Sequence, residues 1–92
     1  MFEKFDWLLD RYQELSEALS QPDIIADQPK WQALLKEHAS LEPSVEAYRE
    51  YQQILREEAE AQEMLEVPEM EELAKSELSE LRERREHQEH KL

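Results

Sequence analysis

The sequence has 92 residues, of which 38% are charged and 39% hydrophobic, and it contains no cysteine and no glycine. Eleven basic against 24 acidic residues give a formal net charge of −13, which argues against direct binding to nucleic acid or to an anionic membrane. The lack of cysteine excludes disulfides and thiolate metal sites, and no apolar run is long enough for a membrane span or a signal peptide. The sequence therefore predicts a cytoplasmic protein that contacts no membrane.

The first predicted helix covers residues 2–19. Apolar residues recur on one face at spacings of three and four, with Phe2 and Leu9 widening the stripe. The stripe consists of Phe5, Leu8, Tyr12, Leu15 and Leu19. Trp7 lies beside the stripe and has two interpretations. In the first, it is the edge of the stripe or contacts the next helix; in the second, it is an exposed anchor for a partner. We favour the first interpretation.

A second, long helix is predicted over residues 28–65, after a break at Pro22 and a new start at Pro29. Its predicted stripe is Trp31, Leu34, His38, Leu41, Val45, Tyr48, Leu55 and Ala59, with Leu35, Tyr51 and Ile54 beside it. Pro43 either separates two helices or kinks one. Because the stripe keeps its phase across Pro43, we predict one helix with a kink.

Residues 68–91 form the third predicted helix, which begins at Pro68. Its apolar face consists of Met70, Leu73, Ala74, Leu78 and Leu81. The alternating charges of the segment after Leu81 predict a helix exposed to solvent. Short turns make neighbouring helices antiparallel. The expected fold is all-α: one helical domain over residues 1–92, built as an elongated antiparallel three-helix bundle or helical hairpin around a long central helix.

The sequence does not predict an enzyme or a bound cofactor. His87 and His90 lie one helical turn apart, and Glu86 shares a face with His90, but a metal site would need further ligands and a shielding pocket. The Glu residues lie off the apolar stripes, unlike those of di-iron helical bundles. We therefore predict no catalytic and no metal-binding residues.

The turn between the second and third predicted helices lies in a segment rich in acidic residues. Residues 57–72 contain eight Glu and no Lys or Arg. The candidate protein-contact site, which we call the acidic turn, consists of Glu63, Met64, Leu65, Glu66, Val67 and Glu69. Its carboxylates either form an ordinary solvated surface, or they steer and dock a basic partner around the three apolar side chains.

Several segments together resemble bacterial class-1 peptide chain release factors. They are LSQPD at 19–23, IADQ at 25–28 and LLKEHASL at 34–41, followed by AQEMLEVPEMEELA at 61–74 and EL at 77–78. The segment at 61–74 is more similar to the release factor 1 branch than to release factor 2. Pro43 lies outside the family pattern.

The resemblance implies that the chain is the N-terminal helical domain of a larger factor that acts in translation termination. Such a factor reads a stop codon and triggers hydrolysis of peptidyl-tRNA on the ribosome, through residues in later domains. The implied partners are the ribosome, through a protein surface near its factor-binding site, and the class-2 release-factor GTPase. The isolated chain could also pair as a homodimer through exposed apolar faces.

Two other hypotheses come from the residues. One is a free-standing acidic coiled-coil adaptor that binds a basic protein or another helix. The other, which we rank lowest, is a metal-dependent helical enzyme.

Overall fold

The computed structural model describes residues 3–92, so the predicted contributions of Phe2 lie outside the described residues. Four α-helices follow one another: α1 (Glu3–Ala18), α2 (Pro22–Ala26), α3 (Gln28–Met64) and α4 (Glu71–Lys91), with a 3-10 helix (Pro68–Met70) before α4. Residues 3–92 contain no β-strand. The predicted all-α class and long central helix are confirmed.

The helix ends follow from local chemistry. Pro22 occupies the first turn of α2, where its missing N–H removes no helical hydrogen bond. The Asp27 carboxylate caps α3 by accepting a hydrogen bond from the Lys30 backbone N–H at 3.2 Å. Pro43 lies inside α3, and the helix continues through it. A proline in a helix interior costs about 3 kcal/mol, so tertiary packing has to offset that cost.

The chain divides into two compact units, Met1–Glu46 and Ala47–Leu92. In the first unit, α1 packs on the first part of α3 through polar as well as apolar contacts. Arg11 donates two hydrogen bonds to the Glu37 carboxylate, at 2.7 and 2.8 Å. The His38 ring stacks on Tyr12 at 4.1 Å between centroids, and its Nε2 lies 2.9 Å from the Ser16 hydroxyl. The guanidinium of Arg11 lowers the pKa of Glu37 below its ordinary value.

Trp7 and Phe5 have opposite environments on α1. Phe5 is 8% exposed, as the predicted stripe requires, whereas Trp7 is 66% exposed. The indole of Trp31, by contrast, has a partner, because its Nε1 donates to the Leu19 carbonyl at 3.2 Å. The indole of Trp7 is therefore largely exposed, whereas the indole of Trp31 is held by a hydrogen bond.

The second unit is an antiparallel coiled coil of the last part of α3 with α4. Buried and half-buried residues alternate at spacings of four and three on both helices, which is a heptad pattern. On α3 they are Ala47, Tyr51, Ile54, Glu58 and Ala61, and on α4 they are Ala74, Leu78, Leu81, Arg85 and Gln88. Ile54, Ala61 and Leu81 form the apolar centre of this pairing.

The predicted stripe of the long helix is correct at Tyr48, which is 7% exposed, but it is wrong in the rest of this unit. Leu55 is 42% exposed and Ala59 is also exposed, whereas Tyr51 and Ile54, which we placed beside the stripe, are buried at 5% and 2%. The pattern failed because an apolar residue stands at both Ile54 and Leu55. Only the packing of Leu81 against Ile54 and Ala61 decides which of the two is covered.

The expectation of a solvated helix after Leu81 holds for most of the segment, since residues 82–84, 86, 87, 90 and 91 are exposed, but it is wrong for the face that carries Arg85 and Gln88. Gln88 is only 3% exposed, and its amide donates to the Ala47 carbonyl at 2.8 Å. The Arg85 guanidinium lies 2.9 Å from a Glu58 oxygen, with side chains 30% and 19% exposed. Polar residues therefore continue the coiled-coil core where the apolar stripe ends, and their hydrogen bonds satisfy groups that burial would otherwise penalise.

A pH effect follows from Tyr51. Burial, together with the hydrogen bond of its hydroxyl to Glu89 at 3.0 Å, raises the pKa of Tyr51 above its ordinary value. A raised pKa in the fold means a stability contribution that is complete below the ordinary tyrosine pKa and is lost as the pH rises through the raised value. We expect Tyr51→Phe to show a smaller loss of unfolding free energy above about pH 10 than the unsubstituted chain.

Urea unfolding at a series of alkaline pH values measures that difference. Glu89→Gln keeps an acceptor oxygen but removes the charge, so it should move the pKa of Tyr51 towards its ordinary value in a tyrosinate absorbance titration. An alkaline loss that is identical in Tyr51→Phe and the unsubstituted chain would contradict the assignment.

Candidate protein-contact site at the acidic turn

The backbone of the acidic turn leaves α3 through a short series of tight hydrogen bonds. The amides of Leu65, Glu66 and Val67 each donate to the carbonyl three residues earlier, at 3.1 to 3.2 Å. Val67 is extended (φ −94°, ψ 111°), which suits the residue before a proline, and Pro68 then starts the 3-10 helix. Met70 (φ −107°, ψ 0°) leads into α4. The chain therefore reverses without any positive φ at the described residues.

The carboxylates of the acidic turn face solvent. Glu63, Glu66 and Glu69 are all exposed, and within the described part of the chain none of the three forms an ion pair. The nearest cation in sequence, Lys75, is already engaged with Glu71 at 3.0 Å and Glu72 at 4.0 Å. The negative charge of the turn is therefore uncompensated.

The apolar residues of the acidic turn divide into two kinds. Met64 and Leu65 are half-buried, whereas Val67 is 43% exposed. Two residues that we assigned to the packing face of the third helix are exposed as well, Met70 at 37% and Leu73 at 54%. Val67, Met70 and Leu73 follow at intervals of three residues, and we call them the apolar strip.

A cavity of about 220 Å³ lies between α3 and α4, next to the turn. Its lining combines apolar side chains with carboxylates and one cation: Glu57, Glu60, Ala61, Met64, Glu77, Glu80, Leu81 and Arg84. Arg84 lies 3.6 Å from Glu57, whereas Glu60, Glu77 and Glu80 form no ion pair in the part of the chain that the structure describes, so they are the free carboxylates of the rim. The surroundings favour a positively charged group with an apolar stem.

The predicted site residues are thus brought together in one turn, although not all on its surface. The exposure of Met70 and Leu73 was not predicted, and it follows from the core positions that the structure gives to α4. Counting the α4 heptad back from Ala74 by three gives position 71, so neither Met70 nor Leu73 is a core position.

The histidines near the end of α4 are exposed. His87 and His90 both face solvent, and Glu86 is paired with Arg82 at 3.3 Å. Over residues 3–92, no group of three or more His, Cys, Asp or Glu side chains is placed to hold a metal ion. In the same range, no helix has the length and apolar character needed to cross a membrane.

Comparison with known proteins gives one family and one group of relatives. The PCRF domain family matches residues 8–92. Over 64 residues the chain is 45% identical to peptide chain release factor 1 of Carboxydothermus hydrogenoformans and 47% identical to that of Clostridioides difficile. These alignments cover 70% of this chain but only 18% of each relative, so the chain spans less than a fifth of their length. No solved structure matches.

Proposed function

Because the chain belongs to the PCRF domain family, as an N-terminal domain of the release factor 1 type, we propose that it is a non-catalytic accessory domain of a translation termination factor. The factor would read stop codons and promote hydrolysis of peptidyl-tRNA on the ribosome, in the cytoplasm. The role of this domain is to dock the factor on a basic protein surface. That surface belongs to the ribosomal factor-binding region or to the release-factor GTPase.

The observation that carries the docking role is the charge of the acidic turn. Glu63, Glu66 and Glu69 are exposed and form no ion pair within residues 3–92, and Val67 is exposed among them. Uncompensated charge on a surface attracts partners of opposite sign and speeds their association, while a neighbouring apolar group supplies contact area that excludes water. Both contributions suit a basic protein surface better than nucleic acid, whose phosphates would be repelled.

Charge reversal tests the docking role. The variant Glu63→Lys, Glu66→Lys, Glu69→Lys should bind purified bacterial ribosomes about tenfold more weakly at low salt, and its affinity should depend less steeply on salt. Co-sedimentation of the labelled chain with ribosomes over a series of salt concentrations measures both quantities. The same titration with the purified GTPase shows which of the two surfaces is involved.

A matched control separates local charge from total charge. Glu42→Lys, Glu46→Lys and Glu50→Lys replace three exposed carboxylates outside the turn. Each triple variant adds two charges at three positions, which changes the net charge from −13 to −7. Equal affinities and equal salt slopes for the two variants would show that the acidic turn is an ordinary solvated surface.

A further inference from the structure

We propose that the apolar strip seats a basic amphipathic helix of the partner protein. The inference rests on the proposed function, because it takes the acidic turn to be a contact site, and it adds the chemistry of the partner. The occupant is a helix with one apolar face, flanked by Lys or Arg side chains.

The exposure of the apolar strip is the first support. Val67, Met70 and Leu73 are 43%, 37% and 54% exposed, and they are consecutive in a three-residue spacing rather than scattered. Met70 and Leu73 lie at the start of α4, where residues three apart are neighbours on the helix surface, and Val67 is the extended residue directly before the 3-10 helix. Single exposed apolar side chains are ordinary, but a contiguous row is a feature of interaction sites.

The dimensions of the strip fit a helix. One step of three residues through a 3-10 helix and one through an α-helix give a length of about 10 Å. Two turns of a partner helix cover the same distance, with apolar residues at positions i, i+3 or i+4, and i+7. Methionine adapts its shape to such a contact, which suits Met70 at the centre of the row.

Charge selects the kind of helix. Glu66 directly precedes Val67 and Glu69 directly precedes Met70, and among residues 3–92 no cation is paired to either carboxylate. An acidic helix would be repelled. A second copy of this chain is also disfavoured, because it carries a net charge of −13 and the Arg residues of α4 are already paired internally. These pairs are Arg82 with Glu86, Arg84 with Glu57, and Arg85 with Glu58.

The cavity beside the turn extends the same surface. Leu73 and Glu77 lie one turn apart on α4, and Glu77 lines the cavity of about 220 Å³ together with Met64 and Leu81. A Lys or Arg side chain of the bound helix would lay its aliphatic stem on the two apolar residues. Its charge would then reach the free carboxylates of the rim.

Peptide binding tests the inference. The probes are a Leu/Lys amphipathic helical peptide, a scrambled peptide of the same composition without an apolar face, and a Leu/Glu amphipathic peptide. The Leu/Lys peptide should bind about tenfold more tightly than the scrambled one, and the Leu/Glu peptide should not bind. Met70→Ala with Leu73→Ala should remove that tenfold preference, as measured by fluorescence anisotropy.

The control variant is Leu55→Ala, which removes an apolar side chain of similar exposure, 42%, away from the strip. It should leave peptide binding unchanged. Circular dichroism establishes that each variant keeps its helix content, so that a loss of binding reports the surface.

The same variants distinguish the inference from the proposed function. If charge reversal weakens ribosome binding but Met70→Ala with Leu73→Ala weakens neither ribosome nor Leu/Lys peptide binding, the proposed function stands and the helix-seating inference is overturned. If neither variant weakens binding to the ribosome or to the purified GTPase, the proposed docking function is overturned. Sedimentation showing a dimer that Met70→Ala with Leu73→Ala abolishes would identify a second copy as the occupant and would also overturn the inference.

Discussion

Replacing Ile54 by alanine is expected to lower the free energy of unfolding by about 3 kcal/mol. Ile54 is 2% exposed and packs with Ala61 and Leu81 at the centre of the α3–α4 coiled coil. The substitution removes three carbons and leaves a cavity that a pair of helices can only partly close. Urea unfolding followed by far-UV circular dichroism measures the change.

Leu55→Ala is the matched control for Ile54→Ala. It removes a similar side chain from the next residue of the same helix, but Leu55 is 42% exposed. Its expected cost is less than about 1 kcal/mol. A larger loss for Leu55→Ala than for Ile54→Ala would restore the stripe that the sequence alone predicted, and would refute the observed register of α3 against α4.

The second large effect concerns the ion pair inside the heptad core. Glu58→Ala or Arg85→Ala should each lower the free energy of unfolding by about 2 kcal/mol. Arg85→Ala leaves the largely covered Glu58 charge without its partner, and Glu58→Ala leaves Arg85 with only its longer contact to Glu89 at 3.8 Å. The Nε of Arg85 lies 2.9 and 3.2 Å from the two Glu58 oxygens, and the Glu58 side chain is 19% exposed. Thermal and urea unfolding of both variants test this expectation.

The double variant Glu58→Leu, Arg85→Leu should recover most of that loss, since two apolar residues then fill heptad positions that face a core. Arg82→Ala provides the control. Its ion pair with Glu86 lies on the surface, with side chains 72% and 57% exposed, so its loss should cost about 0.5 kcal/mol or less. Single variants at Glu58 and Arg85 that cost no more than Arg82→Ala would show that the pair contributes nothing to stability.

The elements of the fold could be predicted because their boundaries depend on local chemistry. Proline fixes φ and lacks an N–H, so it is favoured in the first turn of a helix, and the predicted starts at Pro29 and Pro68 are observed, whereas Pro43 lies inside α3. Three-four periodicity identifies the helices themselves. The resemblance to class-1 release factors depended most on the segment at 61–74. It is confirmed by the family match over residues 8–92.

The register of the coiled coil could not be predicted from the same periodicity. Adjacent apolar residues, such as Ile54 and Leu55, each satisfy a helical stripe, and the choice depends on a partner helix distant in sequence. The core positions of Arg85 and Gln88 were missed for a related reason. A polar residue is assigned to the surface unless its hydrogen-bond partner is known, and the partners here are Glu58 and the carbonyl of Ala47.

The sequence located the candidate site by its negative charge, but it did not show which apolar residues around the turn are exposed. Residues 57–72 contain eight Glu and no Lys or Arg, and this pattern can be read directly from the sequence. The exposure of Met70 and Leu73 depends on where the core of α4 begins, at Ala74, and this required the three-dimensional pairing of α3 with α4. Glu63, Glu66 and Glu69 remain predicted contact residues, which the ribosome-binding experiment tests.

The backbone of the acidic turn leaves its side chains unusually free to vary. No described residue has a positive φ, so the reversal from α3 to α4 needs neither glycine nor asparagine at any position. Outside Pro68 and the extended Val67 before it, the turn therefore needs no residue type chosen for its backbone conformation. Surface chemistry at Glu66, Val67 and Glu69 can be exchanged while the chain path is kept, which makes this turn a place where recognition can be redesigned independently of folding.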